Sequence, residues 1–260
     1  MQALSLGMKV EIWSDIVCPW CYVGKRRFER ALRGFAHRDE VEVVWRSFEL
    51  DPAAPASRDG SYAERLAEKY RIPVPEAQQM IDSMTAAAAA EGLEFHFELA
   101  RPGNTFDAHR LLHLAAERGV QDAVKERLVR ATFTEGEPIS DHETLVRLVA
   151  QAGLDPDQAA AVLAGEAFAP DVRADERQAR DLGINGVPFF VIDRRYAVSG
   201  AQPAELLQRA LEQAWENRTP LSLVPGPTGE SVGPCEGDAC AVKRCGYAWL
   251  PVAGQRFATS

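Results

Sequence analysis

Cys18 and Cys21 stand three positions apart, with Pro19 and Trp20 between them, where an apolar run, Val10 to Trp13, gives way to an amphipathic stretch. In a helix, residues three apart lie one above the other, so these two thiols can close a disulfide and reopen it without moving the backbone. The chemistry offered is reversible two-electron exchange between a dithiol and a disulfide. A thiol at a helix N-terminus meets unpaired N–H groups and the positive end of the helix dipole, so Cys18 is expected to be acidic, in the range of roughly 3.5 to 7.5. Pro19 suits the first helical position, where its missing N–H has no acceptor to satisfy. Cys21, one turn in, is expected to be shielded. These placements give Cys18 the role of nucleophile and Cys21 that of resolving thiol. Half of a zinc site is the competing use of the same spacing, and it needs two further ligands from elsewhere.

Elements on both sides must hold that junction in place. Lys9 to Asp15 predicts a strand, Cys18 to Phe35 a helix and Val41 to Phe48 a second strand, which together form a βαβ unit. Strand alternation then stops for more than a hundred residues. Helical punctuation replaces it: Pro75 opens a helix through the alanines 86–90 to Gly92, Asn104 caps another ending before Gly119, and a third holds Ala123 to Phe133. Ser140 and Glu143 have capping-box spacing, Asp155-Pro156 starts the next helix, and Phe168 to Leu182 forms one more before Gly183. Strands return at Phe189 to Ile192 and near Tyr196 to Ser199, followed by a helix from Pro203 to Trp215. Beyond Arg218 the chain turns Gly/Pro-rich and reads as an extended tail.

With 260 residues the chain can bury a sizeable core without disulfides. A net charge of -9, with no basic block longer than Lys25-Arg26-Arg27, argues against a nucleic-acid or anionic-membrane partner. Those three basic residues are expected to face solvent on the first helix. No apolar run reaches membrane-spanning length, and residues 1–8 lack the basic and apolar regions of a secretory signal, so a cytoplasmic location is expected. The five cysteines cluster as two and three, unlike a secreted disulfide framework.

A βαβ piece opening with C-x-x-C and a ββα piece opening with Gly-Val-Pro resembles the thioredoxin fold split by a helical insertion, the arrangement of the DsbA family. Residues 15–21 (DIVCPWC), 104–110 (NTFDAHR), 186–191 (GVPFFV) and 199–203 (SGAQP) look most like its FrnE-like branch. The likeness covers residues 8 to 216. It implies a discontinuous thioredoxin-like domain from 8–61 and 183–218, a helical insertion from 62–182 and a C-terminal tail from 219–260. It also implies that Val187-Pro188 is a cis-proline loop beside the dithiol, where the Val187 backbone and Trp20 meet substrate. Trp20 stands where DsbA proper has histidine, so a weaker oxidant is expected. The activity implied is that of a thiol-disulfide oxidoreductase of reductase or isomerase type, without cofactor, acting on disulfide-containing or thiol proteins. Glutathione is a further candidate partner, because a second branch of the architecture resembles kappa-class glutathione transferases and 2-hydroxychromene-2-carboxylate isomerases. That branch is the alternative reading.

Among other candidates, Glu49 is placed to relay protons to Cys21, although as a residue past a strand end it reads more simply as a surface carboxylate. His109 and His113 have one-turn metal-ligand spacing but read more simply as packed or solvated, and Asn104 with His109 could line a cleft between insertion and core. In the tail, Cys235, Cys240 and Cys245 recur at five-residue steps. The resemblance points to Cys235 and Cys240 as a second redox pair. On a helix, residues five apart diverge by about 140°, so this pair needs a turn, which Gly237 allows. Cys240 with Cys245, and zinc held by these thiols, are the other two arrangements the spacing leaves open.

Overall fold

The structure, a computed structural model, describes residues 7–218. Cys235, Cys240 and Cys245, and with them the expected second redox pair, therefore lie outside the described residues. Strand β1 (Met8–Ser14) leads into helix α1 (Pro19–Gly34) and strand β2 (Val41–Ser47). Seven helices follow: α2 (Tyr62–Tyr70), α3 (Val74–Ala89), α4 (Phe106–Glu117), α5 (Gln121–Arg130), α6 (His142–Gln151), α7 (Pro156–Ala164) and α8 (Ala169–Asp181). Strands β3 (Phe189–Ile192) and β4 (Tyr196–Ser199) and helix α9 (Ala204–Glu216) close the fold. The sheet order is β2-β1-β3-β4. β1 pairs parallel with β2, Ile12 beside Trp45, and antiparallel with β3, Ile12 beside Phe190.

Alternation along β1 explains the layers. Met8, Val10 and Ile12 point to one face, where they meet Phe28 and Ala31 of α1 and Leu207 and Leu211 of α9. Trp13 points to the other, against Ala179 of α8, and its indole N–H donates to the Asp175 carbonyl at 3.1 Å. So α8, which sequence grounds assign to the insertion, covers the second face of the sheet. The core of the remaining helices takes in Ile16, Tyr22 and Val23 from the β1–α1 junction. The dithiol thus sits at the seam between sheet and helical block, and residues 7–218 belong to one compact unit. Among the described residues no helix is long and apolar enough to cross a membrane.

Three local expectations need correction. Asp141, not Ser140, caps α6 by accepting the Thr144 N–H at 2.8 Å, because the Ser140 hydroxyl is engaged at the Asn104 carbonyl. Helix α2 has no counterpart in the sequence reading, though Ser61 and Glu64 form a complete capping box at its start. The basic trio does not face solvent. Lys25 is 2% exposed and ion-paired with Glu29, Asp122 and Glu126, Arg26 pairs with Glu126, and Arg27 with Glu91 at 2.8 Å. Carboxylates distant in sequence turn that run into a clamp between α1 and the insertion.

Candidate functional site

Cys18 is the N-cap of α1, with extended backbone (φ -100°, ψ 106°), and Pro19 occupies the first turn. Its Sγ accepts the Cys21 N–H at 3.2 Å, so one orphan donor of the helix end is aimed at the sulfur. Both thiols are free and buried. The Cys18 thiol donates toward the Val187 carbonyl oxygen, 3.6 Å away, and the Val187–Pro188 peptide bond is cis. The Pro188 carbonyl is held by the Gly200 N–H at 2.8 Å. On the facing side a Cβ at Gly24 would come within 2.8 Å of Pro188 Cγ, so α1 passes this loop closely only because it carries glycine there. Trp20, 40% exposed, projects at the helix start.

The expected acidity of Cys18 is not what this geometry gives. Burial pushes the Cys18 thiol well above its ordinary value, the Cys21 thiol and the Asp15 charge push the same way, and the Cys21 N–H acts against them. A helix end contributes about 0.3 to 1 kcal/mol at the surface, whereas full burial moves an ionisable group by up to roughly 3 to 5 pKa units. Desolvation wins. The rate of Cys18 alkylation should therefore still be climbing at pH 9, and a plateau reached below pH 7 would restore the acidic assignment.

Beneath the dithiol lies Asp15, fully buried. Its Oδ1 accepts the Ile16 N–H at 2.7 Å and His109 Nε2 at 3.3 Å, and its Oδ2 accepts the Leu50 N–H at 2.8 Å. Burial opposes charge on Asp15, but the hydrogen bond from His109 and then the Leu50 N–H prevail and hold the carboxyl below its ordinary value. Burial also pushes His109 down, so the imidazole is neutral near pH 7 and donates its Nε2 proton, since a carboxylate only accepts. His109 is thus a buried tie to Asp15 and does not line a cleft. Asn104 donates to the Pro52 and Ala54 carbonyls instead. Beside Val17 opens a cavity of about 730 Å³, lined by Leu50, Tyr62, Leu66 and Thr105, with Arg58 and Lys69 among its charged groups.

Residues 9–212 match the DSBA-like thioredoxin domain. The chain belongs to that family. It is similar to the probable DsbA oxidoreductase SCO1869 from Streptomyces coelicolor, with 53% identity and a TM-score of 0.80 over 85% of this chain and 97% of that one. It is 29% identical to the YwbO protein of Bacillus subtilis over 79% of this chain and 96% of the relative. The cytosolic disulfide reductase DsbM from Pseudomonas aeruginosa, solved with GSH, shares the fold at 19% identity, with a TM-score of 0.56 over 80% of this chain and 99% of that one.

Around the dithiol of this DSBA-like chain stand groups that local sequence does not announce. Lys125 of α5 is 2% exposed, and burial pushes its ammonium down to about 8 against the pull of Cys21, Asp15 and Cys18. Its signal was available, because it shares a helix face with Leu128 and Val129, where a cation is out of place. His113 meets Ser47 Oγ at 3.1 Å and Asp175 at 3.2 Å, and among the described residues no cluster of ligands suited to a metal ion occurs.

Glu49 is not a surface carboxylate. Its side chain is fully buried against Arg173, which also bonds Glu176 at 2.8 Å. Burial, then the hydrogen bond shared with Glu176, push Glu49 up to about 7, with Arg173 opposing. A carboxyl raised in the folded state keeps its proton where the unfolded chain has lost it, so stability falls as pH rises from 4.5 to about 7. Glu49→Gln should therefore be more stable than the native protein by about 2 to 3 kcal/mol at pH 8 and nearly equal to it at pH 5. Urea denaturation at the two pH values checks this, and an equal difference at both would refute it.

Proposed function

We propose that the protein is a thiol-disulfide reductase working through Cys18 and Cys21, within the FrnE-like branch and in the cytoplasm. The Cys18 thiolate attacks one sulfur of a substrate disulfide, a Cys18–substrate bond forms, and the other substrate sulfur leaves with the electron pair and takes a proton. Cys21 then attacks Cys18, the mixed disulfide breaks, and the second substrate thiol departs. Two electrons have passed to substrate, and the Cys18–Cys21 disulfide is returned to the dithiol by two equivalents of an external thiol, which leave as their own disulfide.

The observation that carries this reading is Cys18 Sγ, capped by the Cys21 N–H and opposed to the Val187 carbonyl. The Val187 backbone, in the loop ahead of β3, is the partner for an extended substrate, in the manner of strand addition. Exposed Trp20 and Leu50 offer apolar contacts for that substrate. The electrostatics favour reduction over oxidation of substrate. A dithiol whose reduced form is stabilised as a thiolate is a strong oxidant, whereas burial here destabilises the thiolate and makes the pair a better electron donor. Glutathione is a suitable small thiol partner, given the DsbM structure with GSH.

An insulin-reduction assay with a glutathione-recycling system, run beside glutathione conjugation to an aromatic electrophile, tests the proposal. Insulin reduction dependent on this protein with no conjugation is the expected result. Conjugation without reduction would replace the reductase reading by a transferase.

A further inference from the structure

Lys125 is a buried ammonium that the fold does not explain. Its side chain is 2% exposed, and among the described residues its nitrogen has no hydrogen bond and no ion pair, only the Trp45 ring with the centroid 5.6 Å away. The carboxylates on its own helix are engaged elsewhere. Asp122 bonds Lys25 and the Trp45 indole N–H, and Glu126 bonds Arg26 and, at 2.6 Å, the Tyr22 hydroxyl. Those bonds pin α5 along α1, the helix that carries both thiols. Packing does not account for a cation here, since an apolar side chain of similar length fills such a space at lower cost than an unpaired charge.

We propose that Lys125 is a positioning residue for disulfide exchange: its buried ammonium, set against Trp45 on the helix that the clamp ties to α1, stabilises the thiolate of Cys21 during resolution. In that step Cys21 loses its proton to solvent, its sulfur bonds Cys18, and the substrate sulfur leaves Cys18 with the electron pair. The inference rests on the reductase reading above.

The surrounding charges agree with it. Cys21, then Asp15, then Cys18 are the groups that favour charge on Lys125 most, while Lys25 of α1 opposes it. His109 of α4 is neutral and donates to Asp15, so it does not replace Lys125 as a cation near the sulfurs.

The test is the two-step reaction of the reduced protein with dithiobis-nitrobenzoate, with Cys235, Cys240 and Cys245 replaced by serine in every protein compared so that they release no colour; the first coloured thiolate then reports attack by Cys18 and the second resolution by Cys21. Lys125→Met is expected to slow the second release about tenfold at pH 7 relative to the native protein, with the gap closing as pH rises. Lys125→Arg, which keeps the charge, should retain most of the rate. Lys125→Met should also unfold at an equal or higher urea concentration, a result that a merely structural lysine would not give. Lys125→Gln carries the same kinetic test if the Met variant does not fold. A second-release pH profile that superposes on the native one overturns the role of Lys125 alone. Absence of two-step release in the native protein instead overturns the reductase reading itself.

Discussion

Replacing Cys18 by serine is expected to abolish disulfide reduction to the uncatalysed rate, because the hydroxyl is not ionised near neutral pH and cannot exchange with a disulfide. Cys21→Ser should behave differently. Attack by Cys18 survives, resolution does not, and the protein should accumulate one substrate molecule per chain as a mixed disulfide that excess thiol releases. The two variants separate roles that burial alone does not, since both sulfurs lie within a few per cent of full burial. Peptide mapping by mass spectrometry after mixing with a peptide disulfide locates the adduct, separately from the tail cysteines. An adduct on Cys18→Ser and none on Cys21→Ser would reverse the assignment.

The second large effect concerns Asp15, whose carboxylate is a knot more than a reagent. It gathers the Ile16 N–H of the β1–α1 connection, the Leu50 N–H of the segment after β2 and His109 of α4. Asp15→Ala leaves all three donors buried without an acceptor, at about 1 to 3 kcal/mol each before relaxation, and should lower stability by about 3 to 5 kcal/mol. Asp15→Asn keeps one acceptor oxygen and should lose about half of that. The carboxyl lies below its ordinary value in the folded protein, so the unfolded chain takes up the proton first as pH falls. Its contribution is complete above about pH 5, shrinks through the acid range and is gone below the folded value. Urea midpoints at pH 7 and pH 3 should show the Asp15→Ala deficit narrowing in acid. A deficit under about 1 kcal/mol at pH 7 would show that the three donors find other partners.

The elements that position the dithiol were legible because their signals are local. Pro19 after Cys18, Asp155 before Pro156 and the β-branched runs around Val10 and Val191 act within one helical turn or one strand. That the βαβ and ββα pieces belong to one fold followed from the resemblance carried by the C-x-x-C and Gly-Val-Pro segments. Long-range partners were not legible. The solvent-facing reading of Lys25 failed because Asp122 and Glu126 lie about a hundred residues away, and Glu49 was misplaced because Arg173 covers it from α8. The Cys18 environment failed for the same reason. A helix terminus can be read from four residues, but the depth at which the surrounding elements bury it cannot.

The most direct measurement of the central claim is a stoichiometric oxidation. Fully reduced protein is mixed with one equivalent of a peptide disulfide, quenched with acid and mapped by peptide mass spectrometry. One Cys18–Cys21 disulfide formed for each substrate disulfide lost, with two substrate thiols released, is the expected result. Loss of substrate disulfide with Cys18 and Cys21 both still free thiols would contradict it.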